Sequence, residues 1–210
     1  GLEVARGTGG QPLEQWTEGV ADLIRTLELT PDAQAAAMVA GWACRLRGDV
    51  TAADDLLGYA AAVERRAHKG FVLTHWVGAG ALRALVRLDQ GRPGEARTLA
   101  QDDITTLPSR EHMYRDSFLA QAQLAAGEAA LRLGDSAEAL ECFGAALATA
   151  QAQPRRGGMG WVGVRALAGR ARALVEVRLR RDAQEALAAA LIEAGALLHQ
   201  RQLDFFDRHD

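Results

Sequence analysis

Three glycines constrain what this chain can fold into. Gly48, Gly91 and Gly134 lie 43 residues apart, twice. They sit in three comparable stretches, "LRGDVTAADDLLGYAAA", "LDQGRPGEARTLAQ" and "LRLGDSAEALECFGAALATA". The neighbours agree in phase. Seven residues before each glycine stand Gly41, Ala84 and Gly127, and five after stand Ala53, Ala96 and Ala139. Nine after stand Leu57, Ala100 and Phe143. Self-similarity at such a period marks stacked helical units.

The physics of one unit is simple. Glycine takes the left-handed conformation that closes a helix C-terminus. A second helix then starts at once. Asp135 with Glu138, and Asp182 with Glu185, have capping-box spacing. Pro93 suits a first helical position, where a missing N–H costs nothing. The small residues before and after each glycine let two antiparallel helices approach closely, and the residue nine after fills the gap toward the next unit. One such hairpin cannot bury its apolar face alone, so neighbours must stack. A fourth, degenerate copy is expected with Arg181 in place of the glycine, 47 residues after Gly134, the insertion falling in "QPRRGGMG". The pattern predicts helices over 11–28, 31–47, 51–67, 70–89, 93–105, 111–133, 136–152, 160–179 and 182–200. Residues 1–10 read as a linker or cloning remnant, 11–200 as a helical repeat domain and 201–210 as a C-terminal tail.

Composition narrows the function. Net charge is −3 and no basic block occurs. Nucleic-acid contact by this segment is therefore not expected, because phosphate affinity needs a basic footprint. No apolar run is long enough to span a bilayer, and no signal peptide is readable, so a cytoplasmic protein is expected. Cys44 and Cys142 both fall in apolar helical patterns and read as reduced core thiols.

The stretch "GDSAEALECFGAALATA" resembles the second half of a tetratricopeptide repeat, with Phe143 where that pattern carries an aromatic. A period longer than the usual one resembles the helical effector domains of large bacterial transcription regulators: the maltose-regulator-like members of the LuxR family and the antibiotic regulators with central ATPases. The resemblance covers roughly residues 31–195. It implies an all-α, right-handed α-solenoid of antiparallel helix pairs whose first helices line a concave surface. Along that surface Phe71, Tyr114 and Trp161 recur at offsets of 43 and 47 residues, and Trp42 shares the helix face that runs from Tyr114 through Glu128. With His75, Arg115, Glu128 and Arg165 as polar anchors, these aromatics form a candidate ligand groove; a packing ladder between repeats accounts for the same pattern.

Other motifs carry less. Gly158-x-Gly160-x-x-Gly163 spells a dinucleotide fingerprint but follows a helix end rather than a strand, so no cofactor is expected. Asp54-Asp55 resembles the metal motif of all-α terpene cyclases, but Gly58 stands where a further acid is needed. The five histidines form no i, i+3 or i, i+4 pair, and no metal site is expected. No nucleophile elbow surrounds Ser109, Ser117 or Ser136. The expectation is a non-catalytic binding module, the sensor or interaction domain of a transcription regulator. Its partner would be a protein, a peptide or a small organic effector, and a homodimer would use part of the apolar surface. A stand-alone adaptor and a small-molecule-binding or enzymatic helical protein are the alternatives.

Overall fold

A computed structural model describes residues 15, 18–20, 22, 24, 31–66, 78–110, 112, 114–152 and 159–206. Among them there is no strand. Four hairpins follow one another in the chain. The first joins α1 (Pro31–Leu46) to α2 (Val50–Arg66), and the second joins α3 (Ala79–Asp89) to α4 (Pro93–Thr106). A 3-10 turn, Leu107–Ser109, leads to the third, α5 (Arg115–Arg132) and α6 (Ser136–Ala152). The fourth joins α7 (Met159–Glu176) to α8 (Arg180–Phe206). No helix among the described residues is long and apolar enough to cross a membrane.

Each hairpin turns by the same device. Gly48, Gly91 and Gly134 have φ of +85°, +72° and +83°. The N–H of the next residue reaches back five positions in every case: Asp49 to the Cys44 carbonyl, Arg92 to Arg87, Asp135 to Ala130, at 3.0, 2.8 and 2.9 Å. This is the six-to-one bond of a Schellman closure. Asp49 and Asp135 then cap the following helix, accepting from the N–H groups of Ala52 and Glu138 at 3.1 and 3.0 Å. Pro93 opens α4, as its ring geometry favours.

The fourth turn corrects the expected phase. Arg178, not Arg181, holds the left-handed position, at φ 63°, and the Leu179 N–H closes onto the Leu174 carbonyl at 2.9 Å. The spacing from Gly134 is 44 residues rather than 47. Asp182 thus lies inside the first turn of α8 and is no cap. Ala171 and Ala183 take the small positions seven before and five after the turn, and both are buried. The stretch "RLRRDAQEA" offers several basic residues at the turn, and only backbone geometry distinguishes Arg178 from Arg181. Several helix bounds also move: α5 starts at Arg115 rather than 111, and α7 ends at Glu176 rather than 179. α3 starts at Ala79, after Gly78 at φ +85°, rather than at residue 70. α8 runs to Phe206, through the first part of the expected tail.

Packing follows the small residues. A Cβ on Gly41 would stand 2.8 Å from Leu57, and one on Gly127 would stand 2.8 Å from the Phe143 ring. Phe143 is fully buried and also meets the next hairpin, where a Cβ on Gly169 would come within 2.5 Å of its ring. Consecutive helices pack throughout, and the first helices of successive hairpins also touch one another, as α5 does with α3 and α7. The second helices of successive hairpins have no comparable contact among the described residues. The first helices therefore form the closer-packed side.

Candidate functional site

On the first helices, hydrogen bonds and ion pairs step from one hairpin to the next. Arg45 on α1 reaches Asp89 on α3, with Nε 2.6 Å from Oδ2 and Nη2 donating to Oδ1 at 3.2 Å. The Arg45 guanidinium also lies 4.9 Å above the Trp42 ring, a cation–π contact. Arg132 on α5 donates to the Leu88 carbonyl of α3. Arg172 on α7 pairs with Glu128 on α5. Each of these contacts spans 44 residues. The repeat spacing itself brings one donor and one acceptor together across each junction.

Arg165, on α7, stands out from this seam. No hydrogen bond or ion pair engages it among the described residues. Its side chain is reached by solvent. Even so, its pKa is pushed below the ordinary arginine value, by burial first and then by the like charge of Arg45, with Arg172 adding to it; Glu128 and Asp89 act in the opposite sense. Arginine remains cationic under such a shift. The charges of Arg45 and Arg172 are thus felt at Arg165, and the acids that act there in the opposite sense, Asp89 and Glu128, are engaged by Arg45 and Arg172.

The aromatic column is described only in part, and its last member shifts in phase. With the turn at Arg178, Trp161 lies 17 residues before its turn, whereas Tyr114 lies 20 before Gly134. They occupy different helix phases, and the residue in phase with Tyr114 is Gly158, outside the described residues. Phe71 and His75 also lie outside the described residues. Tyr114 is exposed at the start of α5, its ring 5.8 Å from His112, and Arg115 pairs with Asp116 at 2.8 Å. Trp42 is half-buried and packs against two core clusters, one of which contains Leu85. Of the expected residues, the structure brings together Trp42, Glu128 and Arg165 with the unforeseen Arg45, Asp89 and Arg172.

The refused motifs have structural employment. Gly160 and Gly163 lie in α7 and admit Leu197 and Glu193 of α8, with a Cβ at Gly160 only 2.5 Å from Leu197. Asp54 accepts from Arg83 at 2.7 Å and pairs with Arg87 at 2.8 Å. No group of three metal-ligating side chains occurs among the described residues. Cys44 is buried, and burial pushes the Cys142 thiol up to about 11, helped by Glu138 and Glu141, so it stays neutral.

One buried carboxylate escaped sequence reasoning. Asp103 on α4 is 6% exposed and accepts from the Ala81 N–H at 2.5 Å. Glu64 on α2 accepts from the N–H groups of Gly78 and Ala79 at 3.2 and 3.1 Å. Two carboxylates from flanking helices thus satisfy the free N–H groups at the start of α3. A Cβ on Gly80 would lie 2.6 Å from Asp103 Oδ1, so only glycine admits this approach. Burial and the nearby Glu64 charge raise the Asp103 pKa to about 7. The signal available in sequence was an aspartate where Ala60 and Ala146 stand in the neighbouring units.

No family model matches the chain, and no curated protein matches it either.

Proposed function

We propose that the chain is a non-catalytic, cytoplasmic binding module built as a right-handed superhelix of tetratricopeptide-like hairpins, and that it grips an acidic peptide segment along its first helices. The turns at residues 48, 91, 134 and 178, together with the close packing of first helices, support the superhelical reading. The observation that carries the ligand class is Arg165: an exposed guanidinium with no ion pair among the described residues, within electrostatic reach of Arg45 and Arg172. Such a group favours a carboxylate that can bond to its planar fork. Resemblance to the effector domains of bacterial transcription regulators supports placing this module in a regulator, where ligand capture would be read out by a separate DNA-binding part.

Fluorescence anisotropy with a labelled Glu-rich heptapeptide tests the ligand class. Arg165→Glu should weaken binding at least tenfold at low salt, and a Gln-for-Glu peptide should bind as weakly to the unaltered protein. Equal affinity for the two peptides would sink the reading, as would full affinity in Arg165→Glu with an unchanged melting curve.

A further inference from the structure

The two ends of α3 are held by different chemistry. Toward its C-terminus, acids meet arginines. Asp54 of α2 pairs with Arg83 and Arg87 at 2.7 and 2.8 Å, and Asp89 pairs with Arg45 of α1 at 2.6 Å. At its start, two acids come from opposite sides. Glu64 of the first hairpin takes the N–H groups of Gly78 and Ala79, and Asp103 of the second takes that of Ala81.

The positive charge at this start falls short of two ionised carboxylates. A helix N-terminus presents about half an elementary charge. Among the charged groups that act on Asp103, Glu64 of α2 and Asp102 of its own helix are negative, and Arg110, after the 3-10 turn, is the positive one. α5 brings no charge here but Phe118, whose ring a Cβ on Gly78 would overlap. Asp103 is 6% exposed, so water does little to make up the difference. One proton on the pair removes the mismatch. Burial first, and then the Glu64 charge, make Asp103 the group that keeps it.

Loss of that proton leaves a buried charge, and access to water is its relief. The first turn of α3 is the part that can give way. Its leading N–H groups have no preceding helical turn to bond to and depend on these two side chains. Gly78 and Gly80 lie within it, and glycine backbone yields more readily than that of other residues. Farther along, Leu82, Leu85 and Val86 are packed in the core, and Arg83, Arg87 and Asp89 are ion-paired. The turn covers Phe118, which is buried in the same core as Leu82, Val86 and Leu107.

We propose that Glu64 and Asp103 form a proton-controlled latch on the start of α3. With one proton on the pair the latch is shut. Release of that proton loosens the first turn of α3 and uncovers Phe118, while the ion pairs farther along keep the first two hairpins joined. Hydrogen exchange of the whole 210-residue chain, read on fragments and scaled by each intrinsic rate, tests this. The closed form holds a proton that the open form releases, so opening grows with pH until Asp103 ionises in the closed form too, at about 7. Protection over residues 78–82 should fall about tenfold between pH 6 and pH 8 and level off above. It should lie below that of residues 139–147 throughout. Asp103→Asn should abolish the fall. Glu64→Gln should move the levelling-off to lower pH, because a charge that helps Asp103 keep its proton is gone. Either variant answers alone if the other loses its helical circular dichroism. Protection that stays constant with pH in the parent would overturn the proposal. So would the same fall in Asp103→Asn or an unmoved levelling-off in Glu64→Gln. Equal protection of the two fragments at every pH would overturn it as well, because α3 would then open only when the whole chain unfolds.

Discussion

α6 and α8 are built on one pattern and live in different surroundings. Both follow a Schellman turn, both place alanine five residues on, and both carry a bulky residue nine on. Phe143 is sealed between Gly127 of its own hairpin and Gly169 of the next. Leu187 has its own hairpin beneath it and is half open to solvent. The same sequence position is a core residue in one hairpin and a surface residue in the other. Burial here is a property of the following unit, and it is not written in the residue itself.

Substitutions at matched positions make that difference measurable. The largest effect is expected for Ala139→Arg, which drives a long charged chain between α5 and α6, where Ala139 is fully buried. Loss of cooperative unfolding in thermal melts is the expected outcome. A wild-type melting curve would mean that the two helices do not approach at this position. Phe143→Ala should cost about 3–5 kcal/mol in urea unfolding, the usual scale for emptying a buried aromatic site. Leu187→Ala should cost less than about 1 kcal/mol, because little packing is lost at a half-exposed site. Equal costs at the two positions would erase the contrast between a covered and an uncovered second helix.

A pH-dependent effect tests the second hairpin, where polarity replaces apolar packing. In the unfolded chain Asp103 releases its proton near 3.8; in the fold it does so near 7. The folded state thus holds a proton that the unfolded state has lost across that window. Below it both states are protonated and the fold carries no penalty. As pH rises through it, stability falls, and above about 7 the penalty is complete. Asp103→Asn keeps an acceptor for Ala81 and removes the charge. It should be more stable than the parent at pH 8, by on the order of 2–4 kcal/mol, with no gain near pH 4. A constant difference across pH would show that Asp103 does not titrate in this range.

The smallest effects concern the turns. Gly134→Ala should cost roughly 1 kcal/mol, because φ of +83° crowds a Cβ. Arg178→Gly should gain up to about 1 kcal/mol from relief of the same crowding, less the entropy that glycine adds to the unfolded chain. A destabilised Arg178→Gly would point to work done by the arginine side chain.

The candidate site was legible in part. Glu128 and Arg165 are polar residues on the expected first-helix face, and helical periodicity alone reaches that far. Arg45 and Asp89 were invisible, because they meet only when α1 and α3 lie side by side. Trp161 was misplaced for the reason that shifted the fourth turn: an insertion can be absorbed at several points, and only the backbone at Arg178 says where.

Sequence by itself determined the local structure. Glycine spacing, alanine at the contact positions and the aspartate caps dictate helices and tight turns through short-range sterics and hydrogen bonds. Those forces act within a few residues and can be read in order along the chain. Tertiary structure alone decided which surfaces are covered, which charges meet 44 residues apart and that Asp103 is held against the start of α3. Each of these depends on distances between helices, set by how closely Gly41, Gly80 and Gly127 let their neighbours approach.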